Sequence, residues 1–112
     1  MRAEAPAEDV YLAIADPTRR ALLLRLAEEG ERSVSDLLEP LPISQPAVSK
    51  HLRILREAGL ARSRKQGRRR LYAVEPERLR QVFDWVAHFE RFWDAKLDAL
   101  GDYLDAKAAR GN

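Results

Sequence analysis

The residues of this chain best equipped for chemistry are hydrogen-bond donors and acceptors rather than nucleophiles. Gln45, Ser49, Lys50, Arg53 and Arg56 lie in the segment 45–58, interleaved with Val48, Leu52 and Leu55 at i, i+4 and i+7. On a helix that spacing buries one stripe and leaves the polar residues pointing away from the core. A helix with such a face fits the major groove of duplex DNA, where its N-terminal turns meet base edges. Gln45 can pair bidentately with adenine, and Arg53 can reach guanine or a phosphate. Ser49 and Lys50 combine small size or reach with donor capacity. Ser44 stands where it can cap the helix, touch a phosphate, or do both. A second concentration follows at Arg62-Ser63-Arg64-Lys65-Gln66-Gly67-Arg68-Arg69-Arg70, where six of nine residues are basic and none is acidic. Arg64, Lys65, Arg68 and Arg69 are the candidates there for phosphate or minor-groove contact.

Other chemistries find little to work with. Cysteine is absent, which removes disulfides and thiolate metal sites and fits a reducing, cytoplasmic setting. There is no Gly-x-Ser-x-Gly turn and no phosphate-binding glycine loop. Asp84 and His88 sit one helical turn apart, but the chain's other histidine is His51, within 45–58, so a carboxylate–imidazole hydrogen bond is expected rather than a metal site. No enzyme activity, metal or cofactor is expected. No stretch approaches the roughly 18 apolar residues of a membrane span, and Met1 to Glu8 lacks the apolar core of a signal peptide.

The net charge of +2 conceals a division. Residues 44–74 hold nine basic residues and one acid, a net +8; the remainder holds eleven basic and seventeen acidic residues, a net −6. One surface is therefore suited to a polyanion and another repels it. Two function classes fit a small chain of this kind: a DNA-binding regulator, or an interaction module of the same fold that has lost DNA binding. The charge division favours the first.

The elements that must hold these residues follow from caps and periodicity. A short helix is expected over about 6–15, with Val10 and Ile14 on one face. Asp16-Pro17 starts the next, which carries Leu22, Leu23 and Leu26 inward and ends near Gly30. Ser33-Val34-Ser35-Asp36 resembles a capping box and opens a short helix through Leu38, stopped by Pro40 and Pro42. Ser44 caps the helix over 45–58, with Gly59 as its terminator. Together these two make a helix-turn-helix. Strands at about 60–65 and 69–74 flank Gln66-Gly67 and form a basic-tipped hairpin, a wing. One long helix is expected over 76–106, with Val86, Trp93, Leu97, Leu100 and Leu104 along an apolar stripe broken at Glu90, and Trp85, Phe89 and Phe92 along a second. The fold expected is mainly α with a small β-hairpin: a winged helix-turn-helix of about five helices and a two-stranded wing. All 112 residues are read as one domain, 10–75 as a DNA-binding core and 76–107 as a dimerisation helix.

These residues resemble the arsenic-repressor (ArsR/SmtB) family of winged-helix regulators. The resemblance runs from Ala15-Asp16-Pro17-Thr18-Arg19 through Ser49-Lys50-His51-Leu52 and Glu57-Ala58-Gly59-Leu60 to Gly67-Arg68-Arg69-Arg70-Leu71-Tyr72. It implies a homodimeric repressor, released from operator DNA by a signal, whose first and last helices form the dimer interface. Val10, Ile14, Val86, Trp93, Leu97, Leu100 and Leu104 are the interface candidates. Metal-sensing members carry Cys-Val-Cys-Asp-Leu before the recognition helix; here Ser33-Val34-Ser35-Asp36-Leu37 stands in its place. Serine hydroxyls are poor ligands for soft metals, so thiolate sensing is not expected at this position.

Overall fold

The computed structural model describes residues 6–110. Two compact units divide the chain after Val82. The first contains α1 (Pro6–Ala13), α2 (Pro17–Glu29), β1 (Arg32–Ser33), α3 (Val34–Leu38), α4 (Gln45–Glu57), β2 (Ala61–Gln66), β3 (Arg69–Val74), a 3₁₀ turn (Pro76–Arg78) and the first turn of α5 (Leu79–Ala87). The second contains the rest of α5 and α6 (Glu90–Arg110).

Local capping explains most of the helix boundaries in the first unit. Asp16 accepts the Arg19 N–H at 3.1 Å, with Pro17 in the first turn of α2. Ser33 and Asp36 form a reciprocal capping box on α3. Ser44 accepts the Ala47 N–H at 3.3 Å to start α4. Arginines close the opposite ends. Arg19 donates to the Ala13 and Leu12 carbonyls at 2.7 and 3.2 Å, and Arg20 donates to that of Ile14 at 2.7 Å. Arg25 does the same for α3, donating to the carbonyls of Asp36, Leu37 and Glu39 at 3.3, 3.1 and 2.9 Å. Cationic donors suit these positions because a helix C-terminus leaves carbonyls unpaired and carries partial negative charge.

Leu22 and Leu26 from α2, Leu37 from α3, Val48, Leu52 and Leu55 from α4, and Leu60 are fully buried together with Val10. Each such aliphatic side chain contributes about 1.5–3 kcal/mol on burial. The stripe at 48, 52 and 55 is therefore the inward face of α4, as its spacing requires. Leu79 and Val82 pack against the same cluster.

Three features differ from the sequence expectation. The sheet has three strands, in the order β1-β3-β2, all antiparallel. Ser33, extended as the N-cap of α3, pairs with Leu71, and Arg32 pairs with Tyr72. Two residues are too few to carry an alternating pattern, so the added strand left no periodic trace. The long helix expected over 76–106 is three elements. Its break comes at His88 and Phe89, whose N–H groups bond to the carbonyls three residues back, Trp85 and Val86, at 3.2 and 2.9 Å. That tightening ends α5, and α6 restarts at Glu90, where the apolar stripe is interrupted. His88 Nδ1 donates to the Asp84 backbone carbonyl at 2.9 Å, not to its carboxylate. The ring thus satisfies a carbonyl at the end of α5.

Candidate nucleic-acid interface

Burial of Val48, Leu52 and Leu55 fixes the orientation of α4. Gln45, Pro46, Lys50, Arg53, Arg56 and Glu57 are exposed on its outer side, with Ser49 half-buried among them. Four of the five residues expected on α4 and its cap (Ser44, Gln45, Lys50 and Arg53) are exposed, and Ser44 also serves as the cap. His51 is tied back: Arg19 Nη1 lies 3.3 Å from its Nδ1, a contact that requires the neutral ring to carry its proton on Nε2.

The hairpin joins the end of α4 through Ala58, Gly59 and Leu60. Gly59 has φ of +80°, a left-handed conformation in which a methyl group would stand 2.5 Å from Arg78 Nε. Register divides the hairpin's side chains between two faces. Ser63 opposes Tyr72 and Lys65 opposes Arg70, so these four share one face; Arg64 opposite Leu71 and Gln66 opposite Arg69 share the other.

The two faces differ in charge. Arg64 forms a bidentate pair with Glu31, both contacts 2.8 Å, and Arg69 pairs with Asp36 at 3.2 Å. Arg62 pairs with Glu75 at 3.2 Å. The Arg64 guanidinium holds the Glu31 carboxyl below its usual range, and Glu31 in turn raises Arg64. Asp36 is lowered chiefly by the Ser33 N–H, with the Ser33 hydroxyl and Arg69 assisting. Among the described residues, Lys50, Arg53, Arg56, Lys65, Arg68 and Arg70 have no carboxylate within ion-pair distance. Of the four wing residues singled out in the sequence, Lys65 and Arg68 therefore present uncompensated charge, while Arg64 and Arg69 are engaged within the protein. Arg56, placed on the outer face of α4 but assigned no contact, and Arg70 join the uncompensated group. Period-2 alternation would have separated Arg70 from Arg69, but the acidic partners of Arg64 and Arg69 lie 33 residues away in sequence.

Of the interface candidates, Val10 is removed. It is fully buried in the core of its own unit and has no surface to offer. Ile14 is half-buried against that core. In the second unit, Val86, Trp93, Leu97, Leu100 and Leu104 are all exposed, as are Phe83 and Phe92. An open groove lined by Phe83, Val86, Trp93 and Leu97 runs along this unit. Trp85 and Phe89 meet edge to face, ring centroids 5.3 Å apart.

A short helix, a turn and a cationic helix backed by an antiparallel hairpin define a winged helix-turn-helix protein. Residues 16–63 match the family model described as bacterial regulatory protein, arsR family. The chain is 39% identical over 97 residues to the HTH-type transcriptional regulator Rv2034 of Mycobacterium tuberculosis, covering 87% of each chain. It is 45% identical over 67 residues to the arsenical resistance operon repressor of Escherichia coli, covering 60% of this chain and 57% of that one. A crystal structure of the ArsR family transcriptional regulator RHA00566 superposes with a TM-score of 0.69 at 37% identity, covering 83% of this chain and 97% of that one. The protein belongs to the arsR family of bacterial regulatory proteins, a non-enzymatic class. Among the described residues no helix is long and apolar enough to cross a membrane.

Proposed function

We propose that this protein is a homodimeric transcriptional repressor that binds an operator duplex in the cytoplasm. The observation that carries the reading is the outer face of α4. Gln45, Lys50 and Arg53 are exposed there, beside Ser49, on a helix held rigidly by three buried aliphatic residues. Such a helix inserts into the major groove, Gln45, Ser49 and Lys50 reading bases from its N-terminal turns. The wing follows the phosphate backbone through Lys65 and Arg68. The apolar stripe of α6 supplies the two-fold contact, since an exposed stripe of several turns calls for a partner helix and a second copy provides one. Leu79 and Val82 pack against the core that supports α4, which favours assigning residues up to Val82 to the DNA-binding part.

A thiolate-bound metal is not expected as the releasing signal. Where metal-sensing relatives hold cysteines, Ser33 is a helix cap bonded to Asp36, and Asp36 also pairs with Arg69. Operator affinity is expected to be the same with zinc and with a chelator.

Selection of bound fragments from a random duplex pool tests the reading. The expected product is an imperfect palindrome whose half-sites lie about one helical turn, roughly 34 Å, or a multiple of it, apart. Gln45→Ala is expected to weaken the selected site by about 1–3 kcal/mol and relax preference at one position. Recovery of no enriched sequence, with wild-type binding indifferent to salt, would refute it.

A further inference from the structure

Two guanidiniums converge on one hydroxyl where the recognition helix meets the wing. Arg56, in the last turn of α4, donates from Nη1 to Ser63 Oγ at 3.5 Å, and Arg70 of β3 donates from Nη1 to the same oxygen at 3.0 Å. Both side chains are exposed, and among the described residues neither has a carboxylate within ion-pair distance. Lys65 stands directly across the ladder from Arg70, on the same face.

Like charges placed opposite each other on a β-ladder destabilise it. Lys65 and Arg70 carry that cost, Arg56 shares the Ser63 hydroxyl with Arg70, and among the described residues no carboxylate offsets them. The contrast with the other face is direct, because Arg64 and Arg69 have Glu31 and Asp36. We propose that Arg56 and Arg70 together form a phosphodiester-binding site that grips one backbone phosphate of the duplex. Because both guanidiniums donate to the one Ser63 oxygen, a single phosphate can meet donors from both, and Lys65 adds field. Guanidinium groups suit this task because each presents planar paired donors to phosphate oxygens. The site couples the two DNA-contacting elements: one phosphate bridges α4 and the wing and fixes the hairpin's position relative to the groove.

The inference rests on the DNA-binding reading, and the experiment separates the two. Binding of the full chain to a labelled mixed-sequence duplex is measured by anisotropy across a salt series, for wild type, Arg56→Gln, Arg70→Gln and the double variant. The double variant is expected to flatten the slope of log K against log salt by about 0.9, the value for one phosphate rather than two. The two single losses in affinity, multiplied, should exceed the loss in the double variant, as for two groups gripping one ligand. Arg70→Lys should retain the slope. Both arginines are exposed and Arg70→Gln relieves the repulsion from Lys65, so thermal unfolding of the variants should come no lower than wild type. Wild-type slope and affinity in the double variant would overturn the site while leaving DNA binding intact. A change near twice 0.9 with independent losses would overturn the sharing of one phosphate. A wild type without salt-dependent binding would instead remove the DNA-binding reading.

Discussion

Replacing Leu97 with aspartate places a charge in the middle of the stripe that α6 is proposed to offer to a second copy. Leu97 is 61% exposed in the single chain, so most of its apolar surface remains to be buried. Full burial of a leucine is worth about 1.5–3 kcal/mol, which leaves about 1–2 kcal/mol available at this position. Two-fold symmetry doubles the loss to about 2–4 kcal/mol, a dimer weakened roughly thirty- to several-hundred-fold. Any carboxylate left unpaired in the seam adds a desolvation cost. The core of the first unit does not include Leu97, so circular dichroism and the hydrogen-exchange protection of Leu22, Leu52 and Leu55 should be preserved. Sedimentation equilibrium of wild type and variant reads the change directly, and a palindromic duplex reads its effect on binding. A Leu97→Asp protein that remains dimeric at the wild-type concentration, and binds the palindrome normally, would show that the partner covers some other surface.

Leu52→Ala empties a fully buried position on the inner side of α4 and should cost roughly 2–5 kcal/mol, measured by urea unfolding. Gly59→Ala must hold a left-handed backbone and displace the end of Arg78; about 1–2 kcal/mol is expected, most of it backbone, because the Arg78 side chain can swing aside. Asp16, Glu31 and Asp36 all have carboxyls held below their ordinary range: Asp16 chiefly by the Arg19 N–H, Glu31 by Arg64 and Asp36 by the Ser33 N–H. Groups depressed in the folded state stabilise it fully above their unfolded pKa and lose that contribution as pH falls through the folded value. Stability should therefore decline as pH falls below about 4, and Asp36→Asn should blunt that acid dependence of the melting temperature.

Much of the first unit was legible because its signals are local. Asp16-Pro17, Ser33 to Asp36 and Ser44 each declare a helix start within four residues, and Gly67, at φ of +63°, marks the hairpin turn. The apolar spacing of α4 marks its outer face without reference to any tertiary contact. What escaped depended on distance or on brevity. Nothing near Arg64 or Arg69 announces Glu31 or Asp36, because those pairs form only when β1 docks on β3. Val10 and Ile14 share a face by periodicity, but periodicity cannot say whether that face meets the chain's own core or another chain. The break after Ala87 was foreshadowed by the polar Glu90 in the apolar stripe, yet a single polar residue is also tolerated within a continuous helix.

Arg25 gives this architecture a limit on transplantation. At five residues, α3 is too short to persist alone, and its C-terminal carbonyls are answered by a side chain from α2. Residues 33–60 cut out and grafted onto a foreign scaffold would bring the reading helix and its cap but leave behind the arginine that braces the preceding helix. A chimera meant to exchange operator preference would do better to keep α2 and α3 as a pair and exchange only the outward residues of α4.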